Sequence, residues 1–148
     1  MEQEISKRKR RIGIIVNYLS LIFIIILIQA GKPYGLDTAL LLTGALGALI
    51  VGLISFISVY WKTRLWRLVH TSFKELDERQ IHVVYNSIRY SYGIFCILCL
   101  IIIYFNAIVE KTNIDISTAG GFLYLAHILP ASIIAWTEKE VLIESGKS

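Results

Sequence analysis

The chain has 148 residues, a formal net charge of +4 at neutral pH and a mean hydropathy of +0.63, and 55% of its residues are hydrophobic. This composition is too apolar for one soluble domain of that length and favours an integral membrane protein. The longest polar stretch, the central loop of residues 62–82, is too short to fold as a separate catalytic domain. The sequence therefore excludes a soluble enzyme module.

Four apolar runs predict an all-α fold with four transmembrane helices. They cover residues 12–30, 38–60, 90–109 and 119–136. Each run is close to the ~20 residues that a helix needs to cross the hydrocarbon core of a bilayer. The external connections are short, so successive helices are expected to be antiparallel neighbours. The prediction is an up-down-up-down bundle in a single membrane domain over residues 1–148.

The distribution of Lys and Arg predicts the orientation. Five basic residues lie at positions 7–11, six between residues 62 and 89, and two between residues 139 and 147, whereas the other two connections hold only Lys32 and Lys111. Because cytoplasmic loops carry the excess of Lys and Arg, both termini and the central loop are predicted to be cytoplasmic. The positive charge is then a topology signal, and no nucleic-acid partner is needed to explain it. The predicted location is the inner (cytoplasmic) cell membrane, as a multi-pass protein.

The first span is predicted to be a retained anchor. It follows a basic leader, as a signal peptide does, but its apolar region is longer and residues 29–33 contain no A-x-A cleavage site. The basic cluster at residues 7–11 is also suited to the anionic headgroups of the lipid bilayer.

The second span contains a stripe of small residues that favours close helix packing. Its members follow one another at steps of four, four and three and are Gly44, Ala48, Gly52 and Ser55. Small residues on one face let a second helix approach closely. The second helix could belong to this chain, to a second copy in a homo-oligomer, or to a larger membrane partner. Packing within the chain is the favoured interpretation, because three other helices are available.

The central loop leads into an extended third helix. Residues 65–76 repeat apolar side chains at helical spacing, which indicates an interfacial helix or an extension of the second span. Asp77 can cap the next helix and Gln80 can complete a capping box, so that helix should begin well before the apolar run. The adjacent Glu78 and Arg79 are then exposed, and they are candidates for docking a protein partner.

A polar seam follows the third span. Its residues alternate at steps of four and three, with Ile103 filling the gap before the last, which places them along one face. They are Tyr85, Arg89, Tyr92, Cys96, Cys99 and Asn106, with His127 at a similar depth in the fourth span. Polar groups that face hydrocarbon are costly, so the seam should face protein or water. Two interpretations remain: a polar pathway or ligand cavity, and an ordinary bundle seam with hydrogen bonds across helices. The second is favoured because no acidic residue lies within any span.

Cys96, Cys99 and His127 also raise redox and metal hypotheses. Some four-helix membrane thiol oxidoreductases carry a Cys-x-x-Cys pair, but this chain has no second cysteine pair, and a thiolate near mid-helix would be poorly solvated. One His and two Cys without nearby carboxylates are a sparse set for a metal, and the same holds for a haem. We therefore predict no catalytic residues, no cofactor and no metal. Pro130 should kink the fourth helix beside His127.

A short segment resembles a known group of proteins. The run Leu76-Asp77-Glu78-Arg79-Gln80, followed by a membrane helix, resembles one in small uncharacterised bacterial multi-span membrane proteins, where Asp-Glu-Arg-Gln or Asp-Glu-Arg-Glu precedes a hydrophobic helix. The resemblance covers about twenty residues of the sequence. It implies a bacterial membrane protein and implies no activity or site.

Three function classes remain after these observations. The first is a non-enzymatic membrane partner, as a regulatory or adaptor subunit that docks a membrane or cytoplasmic protein. The second is a small transporter or channel that uses the polar seam. The third is a membrane redox or haem protein. They are ranked in this order because the residues that the last two need are incomplete.

Overall fold

The computed structural model describes residues 6–31, 35, 37–110 and 114–138, without the side chains of residues 109 and 110. This part of the chain is helical and contains no strand. A π-helical turn continues α2 at Ile57–Trp61 and α4 at Asn106–Glu110, and a short 3-10 turn lies at Phe73–Glu75. The α-helices are α1 (Lys7–Gly31), α2 (Thr38–Phe56), α3 (Leu65–His70), α4 (Glu78–Phe105) and α5 (Ile116–Thr137). The basic residues Lys32, Lys111, Lys139 and Lys147 lie outside the described residues.

Four of these helical segments are long and apolar enough to cross a membrane. They are Lys7–Gly31, Thr38–Trp61, Glu78–Ile108 and Ile116–Thr137. The prediction of an all-helical chain with four helices of membrane-spanning length is therefore confirmed.

The start of α4 agrees with the capping prediction. The Gln80 backbone N–H donates to Asp77 Oδ1 at 2.7 Å, and the Asp77 backbone N–H donates to Gln80 Oε1 at 3.2 Å. These reciprocal bonds form the predicted capping box, which satisfies two of the N–H groups that the first helical turn leaves without partners. As a result, α4 begins well before the apolar run.

The four long helices form an open row in the order α2–α1–α5–α4. Helix α1 contacts both α2 and α5, and α5 contacts α4, but α4 makes no comparable contact with α1 or α2 in the described part of the chain. This differs from a closed bundle, in which α2 and α4 would also meet. Short links fix α1 beside α2 and α4 beside α5, but they do not fix how the two pairs join. The outer helices α2 and α4 are the least buried of the four, and α5 is the most buried.

The apolar core lies toward one end of the long helices, where α1 begins and α5 ends. It contains Ile14 of α1, Val59 and Tyr60 of the first π-helical turn, and Ile128 and Ile134 of α5. The successive residues Val59 and Tyr60 of this turn are both buried. Val59 packs against Gly13, where a Cβ atom would collide with its side chain.

Helix α3 belongs to this core and is not an extension of α2. Arg64, with φ of 56°, adopts a left-handed conformation that separates the two helices. Leu65 and Leu68 are buried in the core, and α3 packs against α5 and the π-helical turn. The apolar face that suggested an interfacial helix therefore packs against protein.

The beginning of α1 meets the end of α5. Lys7 Nζ donates to the carbonyl of Thr137 at 3.1 Å, and the guanidinium groups of Arg10 and Arg11 donate to the carbonyls of Glu138 and Trp136 at 3.3 and 3.2 Å. The Arg11 guanidinium also lies 4.8 Å from the ring centroid of Trp136. These cations satisfy carbonyls that a helix C-terminus leaves without partners, and they complement its partial negative charge.

Candidate functional site

The small-residue stripe of α2 faces α1. A Cβ atom on Gly44 would lie 2.9 Å from Leu27 Cδ2, and one on Gly52 would lie 3.5 Å from the Cβ of Ser20. At the end of the stripe, the Ser55 hydroxyl donates to the Gly13 carbonyl at 2.5 Å. Ala48, between them, is half-buried. Because α1 occupies this face, the stripe is not available to a helix from another molecule.

The polar seam of α4 lies beside the face that packs against α5, with Tyr85, Arg89 and Tyr92 exposed and Cys96, Cys99 and Asn106 half-buried. The side chains of Val84, Ser87 and Ser91 are buried, and Phe95 makes an edge-on contact with Phe122 of α5 at 5.9 Å between ring centroids. At 3.6 residues per turn, the seam lies about a quarter turn away from this buried face. The interior location that an ordinary bundle seam requires is therefore not observed.

Five seam residues share one side of α4, which we call the outer seam: Tyr85, Arg89, Tyr92, Cys96 and Cys99. Tyr85 is 60% exposed and Tyr92 is 72% exposed. Arg89 is also exposed, whereas both cysteines are half-buried free thiols. The candidate docking residues Glu78 and Arg79 are exposed at the start of the same helix, and Glu78 continues the spacing of the outer seam.

The other two seam residues bond to their own helices. Asn106 Nδ2 donates to the Ile102 carbonyl at 2.9 Å, and His127 Nδ1 lies 2.8 Å from the Leu123 carbonyl. The hydrogen bonds across helices that the sequence suggested for this seam are thus replaced by bonds within one helix. His127 is exposed on α5.

The residues weighed as metal ligands are not grouped. Within the described ranges, no three side chains of His, Cys, Asp or Glu are placed so that they could hold one ion. Cys96, Cys99 and His127 therefore do not form a joint ligand set in this structure.

A buried hydroxyl cluster joins α1, α5 and the first π-helical turn, and no pattern in the sequence predicts it. Ser132 Oγ lies 2.8 Å from the hydroxyls of both Tyr18 and Tyr60, and it donates to the Ile128 carbonyl at 2.8 Å. A hydroxyl has one proton and two lone pairs. Since the proton of Ser132 is used by Ile128, both tyrosines must donate to Ser132, whose hydrogen-bonding capacity is then full.

A second buried polar group, Asn17, connects three helices. This residue is 1% exposed. Its Nδ2 donates to the Gly52 carbonyl of α2 at 3.1 Å, and the Tyr124 hydroxyl of α5 lies 3.0 Å from Nδ2 and 3.1 Å from Oδ1. The signal in the sequence was a single Asn inside the apolar run of the first span. Its partners are distant in sequence, so no local pattern pointed to them.

Comparison with known proteins adds no relative: no family model, no curated protein and no solved structure matches the chain. The resemblance of residues 76–80 to small bacterial multi-span proteins therefore stays a prediction.

Proposed function

We propose that the chain is a multi-pass protein of a bacterial inner membrane, with four spans in up-down-up-down order and both termini cytoplasmic. The distribution of Lys and Arg supports this orientation. A further support is the contact between Lys7 and Thr137, which brings the start of α1 and the end of α5 together. In a membrane, the two would then lie on the same side. Helix α3 belongs to the central segment and packs against α5, which is consistent with the central segment lying on that same side of the membrane.

Within that membrane, we propose that the chain is a non-enzymatic partner or adaptor subunit that binds another protein through α4. The observation that carries this proposal is the outer seam, in which Tyr85, Arg89 and Tyr92 are exposed on an edge helix that contacts α5 by a different face. Facing hydrocarbon would be costly for such groups, so a protein that covers them lowers the free energy of the membrane-embedded state. Glu78 extends the same surface beyond the apolar run, and Arg79 is exposed next to it.

A small transporter or channel that uses the seam is the alternative. The interior of the described row gives it less support, because the buried hydroxyl of Ser132 is fully hydrogen-bonded and Asn17 bonds to Gly52 and Tyr124. Polar groups that bond to one another leave few free ligands for a passing solute. The adaptor proposal therefore uses the exposed face of α4 and not a path between helices.

Site-specific photo-crosslinking tests the adaptor proposal. A benzoylphenylalanine is introduced at Tyr92 on α4, and at Ile54 as the matched control, which is 61% exposed on α2. After illumination of native membranes, we expect protein adducts from position 92 and none from position 54. If neither position yields a protein adduct, lipid covers both helices and the proposal is wrong. Equal yields from the two positions would also contradict it.

A further inference from the structure

The segment that joins α2 to α3 carries an unbalanced positive charge. Residues 57–72 contain no Asp or Glu, and their Lys and Arg residues are Lys62, Arg64 and Arg67. The following residues, 73–79, contain two basic and three acidic residues. The excess positive charge of the central segment is therefore concentrated next to the end of the second span.

Lys62 comes directly after that span. The span, Thr38–Trp61, ends in Trp61, which is 65% exposed. Tryptophan rings are enriched at the boundary between the hydrocarbon and the headgroups of a bilayer. The Arg64 backbone N–H donates to the Trp61 carbonyl at 3.0 Å, so the chain makes a tight turn here and does not continue as a helix. In a membrane, Lys62 would therefore lie at the depth of the headgroups.

Arg67 is held at a similar depth by the packing of α3. Leu65 and Leu68 are buried in the apolar core, where α3 contacts α5 and the first π-helical turn. Arg67 lies on the other side of this short helix and is exposed. Because α3 packs against the ends of two membrane-spanning helices, its polar side must stay close to the surface of the bilayer.

Lys62 and Arg67 bind no anion within the protein. In the described part of the chain, neither of these side chains forms an ion pair. The start of α1 differs, because Lys7, Arg10 and Arg11 donate to carbonyls at the end of α5. An anion that approaches this end of the protein would therefore find available charge beside α3.

An anionic phospholipid has the chemistry that matches both parts of this segment. Such lipids give the cytoplasmic leaflet a negative surface potential that attracts Lys and Arg side chains. The phosphate group would lie against Lys62 and Arg67, and the acyl chains would lie along the exposed Trp61 and Ile57 side chains. A free phosphate would use the cations alone and would leave these apolar side chains uncovered.

We infer that Trp61, Lys62 and Arg67 form a binding site for the headgroup of an anionic phospholipid in the cytoplasmic leaflet. This inference rests on the proposed membrane location and goes beyond the adaptor proposal. It uses the segment between α2 and α3 and not α4, so crosslinking at position 92 does not depend on it.

Lipid binding to the purified full chain in a neutral detergent tests this site, with native mass spectrometry as the measurement. Phosphatidylglycerol is titrated into the wild type, into Lys62→Gln/Arg67→Gln, and into Lys9→Gln/Lys74→Gln as the matched control. The control also removes two exposed charges from this end of the protein. We expect the first pair of substitutions to weaken binding by about 30-fold, and the control to leave it nearly unchanged. Equal losses in the two variants would indicate diffuse attraction and would overturn the inference.

Two further arms identify the bound molecule and keep the test independent of folding. The wild type should bind phosphatidylglycerol more tightly than phosphatidylcholine, and equal binding would contradict a site that selects negative charge. An excess of inorganic phosphate should not displace the lipid, and displacement would assign the site to a soluble anion instead. Lys62→Arg/Arg67→Lys retains both charges and should bind as the wild type does. A failure of these results together with a protein adduct at position 92 overturns this inference and leaves the adaptor proposal standing.

Discussion

Ser132 shows how one hydroxyl can hold three segments together. It accepts from Tyr18 and Tyr60 and donates to Ile128, so it links α1 and the first π-helical turn to α5. Tyr60 is fully buried. In such surroundings, a polar group that loses its partner costs more than the net value of the hydrogen bond itself. The residue that accepts two bonds should therefore be more sensitive to substitution than either residue that donates one.

This asymmetry predicts that Ser132→Ala destabilises the protein more than Tyr60→Phe does. Ser132→Ala leaves the hydroxyls of Tyr60, which is fully buried, and of Tyr18, which is half-buried, without their acceptor. It should destabilise the protein by about 2–6 kcal/mol, on the basis of about 1–3 kcal/mol for each unsatisfied group. Tyr60→Phe removes one donor, leaves Ser132 bonded to Tyr18, and should cost about 1 kcal/mol. Thermal unfolding in detergent measures both. Ser58→Ala is the control, because Ser58 is half-buried and its hydroxyl donates to the Ile54 carbonyl of the same helical segment. If Ser132→Ala resembles this control, the cluster contributes little to stability.

Substitutions at the start of α4 can distinguish the structural role of Asp77 from the docking role proposed for Glu78 and Arg79. Asp77 accepts the Gln80 N–H, so Asp77→Ala should cost about 1 kcal/mol of stability, whereas Asp77→Asn should be nearly neutral because it retains the accepting oxygen. Glu78→Gln and Arg79→Gln should leave stability unchanged and weaken partner binding, because both side chains are exposed. Thermal unfolding and co-purification measure the two effects. Loss of binding with Asp77→Asn alone would show that its charge, and not only its cap, is needed.

At the scale of the helix, α2 has two different faces. One face carries Gly44 and Gly52, which pack against α1, and Gly47 lies about a quarter turn away from this face, with no atom within 4 Å of the position of an added Cβ. The same residue type in the same helix is therefore found both at a contact between helices, at Gly52, and at an open position, at Gly47.

Two substitutions in α2 use this difference. Gly52→Ile should push α1 away and destabilise the protein by about 1–3 kcal/mol, as overpacking does in a close contact. Gly47→Ile should be neutral or slightly stabilising, since a side chain has open space there and Gly is a poor helix former. Melting temperatures in detergent compare the two variants. Equal effects would mean that α1 does not limit the space at Gly52.

For the molecule as a whole, the orientation can be tested with single cysteines in a Cys96→Ser/Cys99→Ser background. Lys74→Cys, in the central segment, should react with a membrane-impermeant thiol reagent only after the cells are opened. Ile114→Cys lies before the start of α5, at the opposite end of the long helices from Lys74. It should react in intact cells once the reagent has crossed the outer membrane. Both positions are exposed, so accessibility should reflect the side of the membrane. Labelling of Lys74→Cys from the periplasmic side would contradict the proposed topology.

The sequence predicted the elements better than their contacts. The four long helices and the capping box follow from local patterns, namely apolar length and the Asp77–Gln80 spacing. The direction of the polar seam did not follow, because a period of 3.5 shows that residues share a face but not which way the face points. The pairing of Asn17 with Tyr124 depends on contacts between distant helices.

The order of helices in the row has a consequence for biosynthesis. Helices α1 and α2 are neighbours and are translated first, so Asn17 can bond to Gly52 as soon as this hairpin forms. Its bond to Tyr124, and the bond of Tyr18 to Ser132, must wait until α5 has been made. During this interval the early hairpin carries unsatisfied polar groups on one side. A nascent chain that stops before α5 would therefore resemble an incompletely assembled membrane protein, the kind of species that membrane quality-control proteases remove.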